Sequence, residues 1–101
     1  MAERITIQYL PDCPHRALVT ERVHEALGCL GARPPAVELY EVRDEADAHR
    51  LGFHGSPTVL IDGVDPFADP GAPVGFACRV YAAPSGPQGA PSVAQLRAAL
   101  R

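Results

Sequence analysis

Two periodicities alternate along the chain. Ile5-Thr6-Ile7-Gln8-Tyr9 switches between apolar and polar, the two-residue period of a half-buried strand, and Leu10 extends it. From Pro14 onward, apolar residues fall at Val19, Val23, Ala26, Leu27 and Leu30, which is one face of a helix. Gly31 suits the position just past such a helix, and Pro34-Pro35 bar its continuation. Ala36-Val37-Glu38-Leu39-Tyr40-Glu41-Val42 returns to alternation and predicts a second strand. Asp44 is placed to cap a short helix through Leu51, with Glu45 and Asp47 in its first turn and Gly52 closing it. Thr58-Val59-Leu60-Ile61 is a short apolar run suited to a strand buried on both faces, and Asp62-Gly63 is a turn signal.

The pattern then breaks. Residues 63–75 are rich in Pro, Gly and Asp, which disfavours helix and strand alike and predicts an ordered loop insertion. Phe76-Ala77-Cys78-Arg79-Val80-Tyr81 has strand composition, and residues 82–91 form a second Pro/Gly loop. Ser92 and Gln95 make a capping box for a last helix whose apolar face is Val93, Leu96, Ala99 and Leu100. The expected order is β-α-β-α-β-β-α. Its first two strands form a right-handed parallel unit, and its last two are antiparallel.

Composition narrows the function classes. The 101 residues fit one domain, 1–101, and 47% hydrophobic content is enough for a core without staples. Net charge is −3 and no Lys/Arg run exists, so there is no electrostatic case for nucleic acid or an acidic membrane. No window of apolar residues is long enough for a transmembrane helix. Three cysteines and an N-terminal stretch without a secretory pattern point to a reducing cytoplasm.

The candidate chemistry sits where the first strand gives way to the first helix. Pro is favoured at the first helical position, which makes Cys13, just before Pro14, the expected N-cap. Its sulfur would face unpaired N–H groups and the positive end of the helix dipole, a setting that favours the reactive thiolate. His15 and Arg16 would add positive potential, and Arg16 could also hold an anion there. Cys78 is either a second thiol for this site or a small apolar strand residue. Cys29 lies about 23 Å along the helix from Cys13 and is expected to be structural. His15, His24, His49 and His54 lack zinc-ligand spacing. Asp12, Asp62, Asp65 and Asp69 do not form a calcium loop.

The element order, together with Cys13-Pro14-His15-Arg16 and the stretch Gly55-Ser56-Pro57 before an apolar strand, resembles the thioredoxin-like superfamily. The resemblance covers residues 4–62 and the last helix. It implies an α/β thioredoxin-like fold, a short mixed sheet flanked by helices, with the 63–75 loop as a departure. It also implies that Pro57 is cis and lies beside the reactive cysteine, and that Ser56 pairs with substrate backbone, with Pro14 and His15 nearby. Thioredoxins and periplasmic disulfide oxidases carry a second cysteine where this chain has Arg16. Three routes therefore remain: Cys13 as a monothiol resolved by an external thiol such as glutathione, Cys78 as resolving partner, or a site that binds without turnover.

The leading expectation is a small thioredoxin-like thiol protein working as a monothiol thiol–disulfide oxidoreductase. Cys13 is its nucleophile, Arg16 and Cys78 complete the catalytic set, and its partners are a protein disulfide or a low-molecular-weight thiol. No other cofactor is implied. A non-catalytic interaction module is the second reading. Soft-metal or organomercurial chemistry on Cys13, Cys78 and Asp12 is the third, because short chains similar to this one sometimes carry an alkylmercury lyase label. The sequence carries no signal for an oligomeric state.

Overall fold

The computed structural model describes residues 3–28, 35–69, 71–83 and 86–100. Strand β1 (Arg4–Tyr9) is central: it pairs in parallel with β2 (Ala36–Glu41) on one side and antiparallel with β3 (Thr58–Ile61) on the other. Helix α1 (Arg16–Gly28) connects β1 to β2, and α2 (Glu45–Leu51) connects β2 to β3. Strands β4 (Tyr81–Ala83) and β5 (Gly86–Gln88) form a separate two-stranded antiparallel ladder, and α3 (Val93–Leu100) follows. The molecule is thus a small α/β domain with a mixed three-stranded sheet.

Alternation on the strands sends apolar residues into two clusters. Ile5, Ile7 and Val59 from the sheet bury against Val19, Val23, Ala26 and Leu27 of α1 and Leu96 and Leu100 of α3. Val42, Ala48 and Phe53 form the second cluster, with Leu10, Tyr40 and Leu51 packed around it. On β2, Val37 joins the first cluster and Tyr40 the second. Three residues apart on a strand, they face opposite sides, so helices cover both faces of the sheet. Each fully buried aliphatic side chain contributes about 1.5–3 kcal/mol of gross burial energy.

The short helices stand on their caps. Asp44 accepts the Asp47 N–H at 2.8 Å, and Asp47 in return accepts the Arg43 N–H at 3.2 Å. Gly52 ends α2 in the left-handed region at φ 65°, as its place in the sequence predicts. Ser92 and Gln95 exchange the bonds of a capping box, with Gln95 Oε1 accepting the Ser92 N–H at 2.8 Å and Ser92 Oγ accepting the Gln95 N–H at 3.1 Å. Asp62 Oδ1 accepts the N–H groups of Glu3 and Arg4, each at 2.9 Å, and these bonds hold its carboxyl below the usual value.

Two sequence expectations change. The stretch 76–81 is not an antiparallel partner of β3: only Tyr81 enters a strand, and it pairs with Gln88. The loop expected at 82–91 contains β5, with Pro87 opposite Ala82. An isolated two-stranded ladder is all edge, and edges are where strands tolerate proline. The described residues of 64–80 run across the molecule as an irregular strap, joined to the rest by two isolated bridges, an antiparallel one between Val64 and Ile61 of β3 and a parallel one between Cys78 and Ser56. Cys29, Leu30, Gly31 and Pro34 lie outside the described residues.

Candidate functional site

The site is built on the turn that follows β1. The Cys13 N–H donates to the Leu10 carbonyl at 3.0 Å, closing a turn with Pro11 at its second position, where the fixed φ of proline fits. The first α-helical bond runs from the Val19 N–H to the His15 carbonyl at 2.9 Å. His15, and not Cys13, therefore stands at the N-cap, and Pro14 belongs to the turn. The Pro11 turn delays the helix and leaves Cys13 just ahead of it, half-buried and with a free thiol.

Ser56 joins this turn to the strap. Its Oγ accepts the Leu10 N–H at 3.0 Å, and the Ser56–Pro57 bond is cis. Its main chain is also engaged: the Ser56 N–H donates to Ala77 O at 2.8 Å, and the Arg79 N–H donates to Ser56 O at 2.9 Å. Cys78 sits opposite Ser56 in that bridge, exposed, its thiol also free. Cys13 and Cys78 face one cavity of about 190 Å³, walled by Leu10, Pro11, Pro14 and Phe76, with Asp12 on its lining. On its other side Cys78 borders a larger recess of about 530 Å³ that includes His54, Phe67 and Tyr81.

A polar clamp fixes the strap. The Arg79 guanidinium donates to Asp65 Oδ2 at 2.6 Å and to the Phe67 carbonyl at 2.6 Å, and it lies 4.5 Å from the Tyr81 ring centroid. The two charged side chains are only 10% and 12% exposed, so the pair works in a desolvated setting where loss of one member strands the other. The Tyr81 hydroxyl donates to the Pro57 carbonyl at 2.5 Å. Burial pushes that phenol well above its ordinary value against the opposing charge of Arg79, and smaller effects of Asp65 and Cys13 act in the same direction as burial. Further along, the Gly75 N–H donates to Phe53 O at 3.0 Å and the Phe76 N–H to Glu45 Oε2 at 3.2 Å. Gly55 lets the strap pass. Its φ is +117°, and a Cβ there would lie 2.8 Å from Arg79 Cβ.

The structure thus brings Cys13, Pro14, Ser56, Pro57 and Cys78 to one place. Arg16 and His15 are engaged elsewhere. The Arg16 guanidinium lies 4.7 Å from the Tyr9 ring centroid, and its side chain borders a separate surface recess with Thr20 and Leu39. The His15 ring lies over the backbone of Gly89, where a Cβ would collide with it. Among the described residues no three His, Cys, Asp or Glu side chains converge as a metal-ligand set, although Asp12, Cys13 and Cys78 line one cavity. Sequence reasoning missed Asp65, Arg79, Tyr81 and Gly55. Fourteen residues separate Asp65 from Arg79 across an aperiodic loop, and no local pattern signals that pairing.

Comparison of the sequence with protein-family models, with curated proteins and with solved structures finds no match.

Proposed function

We propose that the chain is a thioredoxin-like thiol protein that carries out thiol–disulfide exchange, with Cys13 as the attacking thiol and Cys78 as its partner. One observation carries this reading: two free thiols from distant parts of the sequence line the same small cavity. In the reaction the Cys13 thiolate attacks a disulfide RS–SR. A Cys13–SR mixed disulfide forms, and RS⁻ leaves and takes up a proton. The Cys78 thiolate then attacks the Cys13 sulfur, releases the second RS⁻ and leaves a Cys13–Cys78 disulfide. Two molecules of a low-molecular-weight thiol such as glutathione reverse the sequence, so no other cofactor enters. A reducing, cytoplasmic compartment suits a site that rests with both thiols free.

Arg16 has no part in this scheme, since its guanidinium sits on Tyr9. The resolving role that a cysteine in its place would have falls instead to a residue delivered by the strap.

Limited oxidation followed by disulfide mapping tests the proposal. The expected product is the Cys13–Cys78 bridge in the wild type, and a persistent mixed disulfide on Cys13 in Cys78→Ser. A mixed disulfide on Cys13 that persists in the wild type reduces the site to a monothiol. Absence of any adduct on Cys13 overturns the exchange function and leaves an interaction module.

A further inference from the structure

We infer that the strap closes the polypeptide-docking edge beside Cys13, so that the site exchanges with low-molecular-weight disulfides and excludes extended protein segments. This rests on the exchange chemistry proposed for Cys13 and specifies its substrate class.

An extended polypeptide binds next to a reactive group by lending its backbone to an unpaired strand edge, and affinity comes from those main-chain bonds. Ser56 offers such an edge here, since its hydroxyl holds the turn that carries Cys13. Its N–H and its C=O are both already paired, to Ala77 and Arg79 of the same chain. Covering an edge with another part of the chain is how folded proteins block strand addition. The covering segment is well anchored, through the Asp65–Arg79 pair, the Arg79 bond to Phe67 O, the Tyr81 bond to Pro57 O and the Gly75 bond to Phe53 O. It also puts a cysteine opposite Ser56, so the strap takes the place an incoming peptide cysteine would need.

The openings that remain are small. The cavity shared by Cys13 and Cys78 holds about 190 Å³, roughly six water volumes at about 30 Å³ each. That is room for a sulfur and the carbons next to it. The recess of about 530 Å³ on the far side of Cys78 is the size of a small-molecule site and could take the rest of such a compound.

Two probes with the same leaving thiol test this: oxidised glutathione, and a ten-residue extended peptide whose central cysteine is disulfide-linked to glutathione. The reduced protein is mixed with each, and Cys13 oxidation is followed by mass spectrometry. Oxidised glutathione is expected to react at least tenfold faster. In Asp65→Asn, which removes the charge opposite Arg79, the peptide rate is expected to rise tenfold or more while the glutathione rate changes less than threefold. Equal rates in the wild type, or a peptide rate unmoved by Asp65→Asn, overturn the substrate inference alone. Silence of Cys13 toward both probes overturns the exchange function and this inference together. Hydrogen exchange of the wild type gives an independent reading that no variant can confound. The Ser56 and Arg79 amides are expected to exchange at least a hundredfold more slowly than unstructured amides, and free exchange at either overturns the closed edge.

Discussion

In the sheet half, the described residues between 3 and 63, backbone ladders and apolar faces repeat, so each bond is backed by neighbours of the same kind. In the strap, the described residues of 64–80, neither ladder nor apolar face recurs, and position is set by single unlike contacts, mostly polar, with Phe67 alone packed against the main core. A repeated pattern loses little when one member is changed on the surface and loses much when a core residue is removed. A set of unlike clamps fails locally, one clamp at a time, and can open without unfolding the rest. The difference places the two thiols on unlike supports: Cys13 on the end of the sheet, Cys78 on the strap.

The comparison breaks if the two halves respond alike to mutation. The largest effect is expected in the core. Ile7 is fully buried, and Ile7→Ala should cost about 4 kcal/mol in urea denaturation, lowering the stability of the sheet and strap amides together. Asp65→Ala should cost up to about 3 kcal/mol, because Arg79 is left desolvated and uncompensated. Its signature in hydrogen exchange is early loss of protection at Ser56 and Arg79, with Ile7 and Val59 unchanged. If all four amides lose protection together, strap and sheet are one cooperative unit.

Two glycines sharpen the contrast. Gly52 and Gly55 both have positive φ, at +65° and +117°, but nothing lies within 4 Å of a Cβ at Gly52, whereas the strap backbone blocks one at Gly55. Gly52→Ala should cost about 1 kcal/mol, from conformation alone. Gly55→Ala should cost at least about 2 kcal/mol, the excess appearing as opening of the strap.

Tyr81→Phe is the mildest change, about 1 kcal/mol for the bond to the Pro57 carbonyl. It carries a pH signature. The phenol is held protonated in the folded state beyond its ordinary value of about 10, so above that pH the unfolded chain binds fewer protons and stability falls as pH rises. The contribution is fully present below pH about 10 and is lost above it. Urea midpoints measured from pH 9 to 11 should drop more steeply in the wild type than in Tyr81→Phe.

How much could be read from the sequence follows the same division. Asp44, Gly52, Ser92 and Gln95 act through bonds three or four residues long, so their positions announce the helices they cap. Ile5, Ile7, Val19 and Val23 reveal their faces by period. The strap has no period, and its contacts join residues far apart, such as Phe76 to Glu45 and Gly75 to Phe53. That is why Phe76-Ala77-Cys78-Arg79-Val80-Tyr81, strand-like in composition, is drawn across Ser56 and enters no ladder before Tyr81. Cys13 and Cys78 were each legible as thiols. Their shared cavity was not, because it depends on the path of the strap. The start of α1 lies two residues later than expected, since a proline after a cysteine marks a turn as readily as a helix.

The packing of His15 over Gly89 couples two sites of mutation. A side chain at position 89 requires the His15 ring to turn away or position 15 to become small. In any lineage that keeps this arrangement the two positions should therefore change in tandem. The freedom to vary the residue beside Cys13-Pro14 is then set by a glycine more than seventy positions downstream. A double substitution, His15→Ala with Gly89→Ala, should recover most of the stability that Gly89→Ala alone removes.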